Sequence, residues 1–176
     1  MGKGYLFPLP TDLFFKRRWQ SLRKIIDSIN KYLKYATIAS MSAMLLIIFL
    51  QVIFRYVLHH SLTFSEELAR YLFVYTVFFG TAVVARENGH IVMEVLTQKL
   101  KGKIAKYIKI IAYICTLLFV IILFYNGIKM MILTSYQLSP ALRISMSYVY
   151  FAIPAASFVM FCNILILIND TLHSDF

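Results

Sequence analysis

The chain has 176 residues, a length that suits one domain, and 60% of them are hydrophobic where a soluble domain carries about half. Only 15% are charged, too few to coat a soluble globule, so the composition points to a membrane protein. Lys and Arg outnumber Asp and Glu by 18 to 8, a net charge of +10. That charge suits either nucleic acid or an anionic membrane face, and the apolar content, with basic residues gathered at segment ends, argues for the membrane and against nucleic acid.

In chain order, residues 1–34 form a basic segment. Leu22, Ile25, Ile26, Ile29 and Leu33 recur at helical spacing, and Arg23, Lys24, Asp27, Lys31 and Lys34 supply a polar side. This predicts an amphipathic helix lying in the membrane interface, anchored by Phe14 and Trp19. It does not read as a secretory signal, because the apolar run that follows is too long and no small-x-small cleavage site stands near its end. A first span is expected over residues 35–58, interrupted only by Gln51 and Arg55 near its end. The second is expected over 68–85, the third over 107–133, and the fourth, without any charge, over 148–168. Between the second and third spans, Val92, Leu96 and Leu100 form a shorter amphipathic stripe ended by Gly102, and residues 169–176 form a short tail.

Backbone polar groups in lipid must bond within their own segment, so these runs are read as helices, and none shows the dyad alternation of a barrel. The fold class is therefore all-α: four transmembrane helices in two hairpins, forming a membrane domain over residues 35–168. Basic residues crowd the N-terminal segment and the middle loop, at Arg86, Lys99, Lys101, Lys103 and Lys106. The loop from His59 to Glu67 has no Lys or Arg, and the loop between the third and fourth spans has only Arg143. Positive charge stays inside, which places both termini and the middle loop in the cytoplasm and the two short loops outside.

The charged cluster at the outer end of the first hairpin comprises Arg55, Glu66, Glu67 and Arg70. Thr63-Phe64-Ser65-Glu66 fits a capping box, and Glu66 to Arg70 is an i, i+4 pair with the acid first. Arg55, about one turn inside the first span, needs a partner, and Glu66 or Glu67 across the turn is the expected one. The cluster is read as a structural clamp on the hairpin; a carboxylate relay or substrate site is the competing reading, disfavoured because the charges nearly balance. Thr76 with Gly80, and Ala152 with Ala156, are small-xxx-small pairs expected at helix contacts. Gln51, Asn126 and Asn163 are candidates for bonds across helices, and Pro154 for a kink in the fourth span. Cys115 and Cys162 sit in apolar runs without a C-x-x-C motif and are expected to be inert. His59, His60, His90 and His173 lie in loops, at span ends or in the tail, so no haem, zinc or other cofactor is expected in this chain, and no catalytic residue. The mid-span stretches are almost wholly apolar, where a carrier shows broken helices and a polar midplane site.

Two stretches carry a resemblance. Gln51-Val52-Ile53-Phe54-Arg55-Tyr56 precedes Leu62-Thr63-Phe64-Ser65-Glu66-Glu67-Leu68-Ala69-Arg70-Tyr71; Gly80-Thr81-Ala82, Arg86, His90-Ile91 and Glu94 follow. Together they resemble the small membrane subunit, the Q type, of tripartite ATP-independent periplasmic (TRAP) transporters, over residues 51 to about 96. The family usually has another aromatic, often Trp, where Phe64 stands, and often Asp at Glu94. The resemblance implies an inner loop motif of Arg86, His90 and Glu94. It also implies a large multi-span transport subunit that carries the substrate and sodium sites, and a soluble periplasmic substrate-binding protein. The small subunit would brace the large one and help dock the soluble protein, in the inner membrane of a bacterium. The implied substrates are organic acids of the C4-dicarboxylate or sialic acid class, and the basic segments would rest on anionic lipid at the cytoplasmic face. A membrane anchor of an oxidoreductase, or a scaffold of another membrane complex, is the alternative.

Overall fold

The computed structural model describes residues 10–57, 59, 63–87 and 103–173, with side chains over 20–57, 59, 63–87 and 107–172. Its helices are α1 (Pro10–Tyr56), α2 (Thr63–Glu87), α3 (Lys103–Leu133), α4 (Met146–Tyr150) and α5 (Ala152–His173). Four stretches are long and apolar enough to cross a membrane: Gln20–Tyr56, Thr63–Glu87, Tyr107–Leu133 and Met146–Leu172. Among the described residues the only extended pairing is an isolated bridge between Leu138 and Ser145.

The N-terminal segment and the first span, expected as separate elements, form one continuous helix. No Gly or Pro lies between Gln20 and Tyr56 to break it. At 47 residues α1 is about 70 Å long, more than twice the roughly 30 Å of bilayer hydrocarbon. Its N-terminal part is also turned differently from expectation. The side carrying Arg23, Asp27, Asn30 and Lys34 faces the rest of the protein, while Leu22, Ile25 and Ile29 are exposed.

The fourth span is divided at Phe151. Pro154 explains the break, since its ring crowds the carbonyl four residues earlier, that of Tyr150, which is the last residue of α4. The expected kink is thus an interruption near the start of this span. Phe151 N still donates to Ser147 O at 2.9 Å, and Ala155 N to Phe151 O at 3.2 Å, so the backbone bonding carries on from α4 into α5.

The helices pack in the order α1, α2, α5, α3, with α1 and α3 on the flanks. The core lies along α5: Ala156, Met160, Ile164 and Leu167 meet Ala82 of α2 and Tyr113 and Val120 of α3. Lipid tails are as apolar as leucine, so helices associate here by close packing rather than by water exclusion. Small side chains permit it: Ala82, Ala152, Ala156 and Ser157 are fully buried. Gly127 of α3 sits against the start of α5, where an added Cβ would lie 2.8 Å from Ile153 Cγ2, 3.1 Å from Pro154 Cδ and 3.2 Å from Pro154 N. At Gly80, where α2 meets α1, a Cβ would find Thr37 Cγ2 at 3.5 Å, an ordinary contact. Large apolar side chains such as Leu45, Phe49, Phe119 and Ile122 are exposed, as a lipid-facing surface requires.

Candidate functional site at the two ends of the helix row

Polar side chains gather at two places. One is the loop end, where residues 57–62 join α1 to α2 and residues 134–145 join α3 to α4. The other is the basic end, where α2 and α5 finish.

The loop over 134–145 is compact. Ser139 N donates to Ile144 O at 2.9 Å and Met146 N to Gln137 O at 2.9 Å, while Ser145 Oγ donates to Ser135 O at 2.8 Å. Pro140 opens a single turn closed by Arg143 N donating to Ser139 O at 3.2 Å, and Arg143 adopts the left-handed backbone, with φ of 56°. Such a turn leaves its first amides without partners inside the turn. Glu67 of α2 supplies the acceptor: Oε2 accepts from Ala141 N at 2.8 Å and from Leu142 N at 3.0 Å. Its Oε1 accepts from the Tyr71 hydroxyl, which itself lies 3.3 Å from Met146 Sδ. Tyr75, one turn further along α2, donates to Tyr148 O at 2.5 Å. The first and second hairpins are therefore latched together by one face of α2.

The expected clamp is distributed differently. Arg55 is exposed and forms no ion pair with Glu66 or Glu67. Glu66 pairs with Arg70 at 3.5 Å, but both side chains are about 70% exposed, so the pair adds little stability. Glu67 bonds across to the second hairpin instead of holding the first one closed. No local spacing pointed to this, because its backbone partners lie 74 and 75 residues away.

At the basic end, Arg23, Asp27, Asn30 and Lys34 of α1 recur at steps of four, three and four residues and so share one helix face. Each meets a different partner. Arg23 pairs with Asp170 of α5, and Lys34 pairs with Glu87 of α2 at 2.7 Å. Arg86 grips one oxygen of Asp27 with Nε at 3.0 Å and Nη2 at 2.8 Å. Asn30 and Asn163 exchange amide bonds of 2.7 and 2.9 Å; the remaining Asn30 donor goes to Ile26 O at 2.9 Å, and that of Asn163 to Ala82 O at 3.0 Å. Every donor of this buried amide pair is used, the condition under which a polar pair is tolerated among apolar helices.

Of the residues singled out in the sequence, Asn163 does bond across helices. Asn126 bonds its own helix at Ile122 O, 2.8 Å, and Gln51 is half-buried without a cross-helix bond among the described residues. Thr76 likewise bonds within its helix, at Leu72 O, 2.8 Å. His90 and Glu94, with the stripe of Val92, Leu96 and Leu100, lie outside the described residues. The sequence reading overlooked Asn30 and Gly127 and placed Asp27 only on the polar side of an interfacial helix; the repeat of polar residues on one face of the first helix, and a lone glycine in an apolar run, were the available signals.

In both clusters most of the charged and amide groups bond to a partner on another helix or loop, and those bonds join the helices. Residues 44–172 match the model of a family described as the DctQ component of tripartite ATP-independent periplasmic transporters. The chain belongs to that family.

A DctQ component is a non-enzymatic part of a transport system. The matched stretch begins within the second half of α1 and takes in all of α2, α3 and α4, so the stripe of Arg23 to Lys34 lies before it, while its partners Arg86, Glu87, Asn163 and Asp170 lie inside it. The chain is similar to a TRAP transporter small permease protein of Haemophilus influenzae, 34% identical over 129 residues, which are 73% of this chain and 78% of that protein. It is also similar to the sialic acid TRAP transporter small permease protein SiaQ of Vibrio cholerae, 34% identical over 82 residues, or 47% of this chain and 46% of that one. A third relative is the sialic acid TRAP transporter permease protein SiaT of Haemophilus influenzae, 30% identical over 118 residues, or 65% of this chain but 18% of that much longer protein.

Proposed function

We propose that this chain is the small membrane subunit of a sodium-coupled secondary transporter for an organic acid of the sialic acid or C4-dicarboxylate class. It braces a large multi-span subunit that holds the substrate and sodium sites, and it helps dock a soluble substrate-binding protein at the loop end. The observation that carries this reading is the closed centre of the helix row. Ala82, Val120, Ala156 and Ser157 have no exposure at all, so the described helices close on one another where they meet along α5. The names of two of these relatives support the sialic acid class, and the SiaT relative, of which the matched 118 residues are only 18%, supports a larger partner.

Uptake into proteoliposomes, driven by a sodium gradient with the soluble protein outside, tests the proposal. None is expected with this chain alone, and uptake is expected with both membrane subunits. Sodium-driven uptake by this chain by itself would overturn it.

We further propose that the basic end faces the cytoplasm of a bacterial inner membrane, with the basic N-terminal segment drawn to anionic lipid there. The charge asymmetry of the loops supports this orientation. Single cysteines at Ser61 and Lys101 should be modified by a membrane-impermeant reagent from opposite sides. Modification of both from one side would refute the four-span topology.

A further inference from the structure

Beside the stripe at the basic end lies a cleft of about 410 Å³ between α1 and α2, open on one side. Its polar part is formed by Asp27, Lys31 and Lys34 of α1 with Arg86 and Glu87 of α2. Two of the three cations are already paired with the two carboxylates, Arg86 with Asp27 and Lys34 with Glu87. Lys31 is exposed and has no ion pair among the described residues. Among the described residues the cleft therefore carries one unbalanced positive charge. Its floor changes character one turn further along α1, where Tyr35 and Ile38 also line it and are 61% and 54% exposed. Lys31, Lys34, Tyr35 and Ile38 follow one another at spacings that keep them on one side of the helix. A charged upper part thus leads into a lipid-facing apolar part within about 10 Å, the distance that seven residues of helix cover.

We propose that this cleft seats an anionic phospholipid, its phosphodiester on Lys31 and Lys34 and an acyl chain along Tyr35 and Ile38. Charge selects the lipid class. A headgroup of net charge −1 neutralises the spare charge of Lys31, whereas a zwitterionic headgroup brings its own cation and leaves the cleft positive. The apolar continuation selects a lipid over a free phosphate ion, which has nothing to lay on Tyr35 and Ile38. The inference needs only that the chain is embedded in a bilayer, so it stands apart from the transport reading and its failure would leave that reading untouched.

Native mass spectrometry of the full-length chain in mild detergent tests it, with phosphatidylglycerol, phosphatidylcholine or inorganic phosphate added at equal concentration. A basic residue near a headgroup contributes about 1 kcal/mol, or about fivefold in retention. The unaltered chain is expected to retain one phosphatidylglycerol about fivefold better than phosphatidylcholine, and Lys31→Ala is expected to lose that preference. Lys31→Arg, which keeps the charge, and Lys129→Ala, an exposed cation at the other end of α3, are expected to retain the lipid as the unaltered chain does. Full retention by Lys31→Ala, equal retention of phosphatidylcholine, or displacement of phosphatidylglycerol by inorganic phosphate would each overturn the proposal.

Discussion

Gly127→Leu is expected to be among the most damaging single substitutions in the membrane domain, lowering the thermal unfolding midpoint of the detergent-solubilised chain by several degrees or abolishing its folding. The reason is the contact with the start of α5. Even a single added carbon would stand 2.8 Å from Ile153 Cγ2 and 3.1 to 3.2 Å from Pro154. A proline ring and its backbone nitrogen cannot rotate away, so the helices must separate, and overpacking of this kind costs about 1–3 kcal/mol. Alanine at 127 suffers the same contact on a smaller scale and regains up to about 1 kcal/mol in helix propensity, so its loss should be milder than that of leucine. Gly80→Ala makes the comparison informative. Its nearest neighbour would be Thr37 Cγ2 at 3.5 Å, so it gains propensity without a clash and should leave the midpoint unchanged or slightly raised. An unfolding midpoint for Gly127→Leu equal to that of the unaltered chain would show that α3 and α5 do not approach so closely.

Glu67→Ala is expected to free the loop over residues 134–145. The substitution removes the acceptor of two backbone amides, Ala141 N and Leu142 N, and of the Tyr71 hydroxyl. Bonds to an ionised carboxylate are stronger than neutral ones, and a turn whose leading amides lose their acceptor opens more readily. Hydrogen exchange at Ala141 and Leu142 should accelerate by roughly tenfold, while the core of α5 around Asn163 stays protected. Glu67→Gln keeps an acceptor oxygen without the charge and should fall between the two. Arg55→Ala serves as the contrast. Arg55 makes no ion pair with Glu66 or Glu67, so its removal should leave exchange in this loop unchanged. If Glu67→Ala exchanged like the unaltered protein and Arg55→Ala did not, the hairpin clamp expected from the sequence would be restored in place of the latch.

The sequence by itself determined the class of protein and the number of spans, because each of these depends on local composition. Twenty or so apolar residues in a row must form a helix in lipid whatever lies beside them, and residues 68–85 and 107–133 fall inside α2 and α3 accordingly. The break before Pro154 is local in the same way, since the clash is between a proline ring and its own preceding turn. The resemblance of the first hairpin to the TRAP small subunit also lies in contiguous residues, and the family match over 44–172 agrees with it.

Only the tertiary structure decided which helices are neighbours and which charges meet. Glu66 and Glu67 are adjacent in sequence with equal charge, yet one is spent on an exposed helix pair and the other on a loop of the opposite hairpin, because successive residues of a helix point about 100° apart. The same geometry explains the N-terminal segment. Its pattern of apolar and basic faces is the same whether the helix lies on a membrane or continues upward from a span, so periodicity could not distinguish the two. The outcome was set by Asp170, Asn163, Arg86 and Glu87, which α5 and α2 bring to the side of Arg23, Asn30, Asp27 and Lys34. Polar groups at the edge of an apolar row of helices bond where partners are held ready, and those partners are placed by the packing of α5 between α2 and α3, about 50 to 150 residues away along the chain.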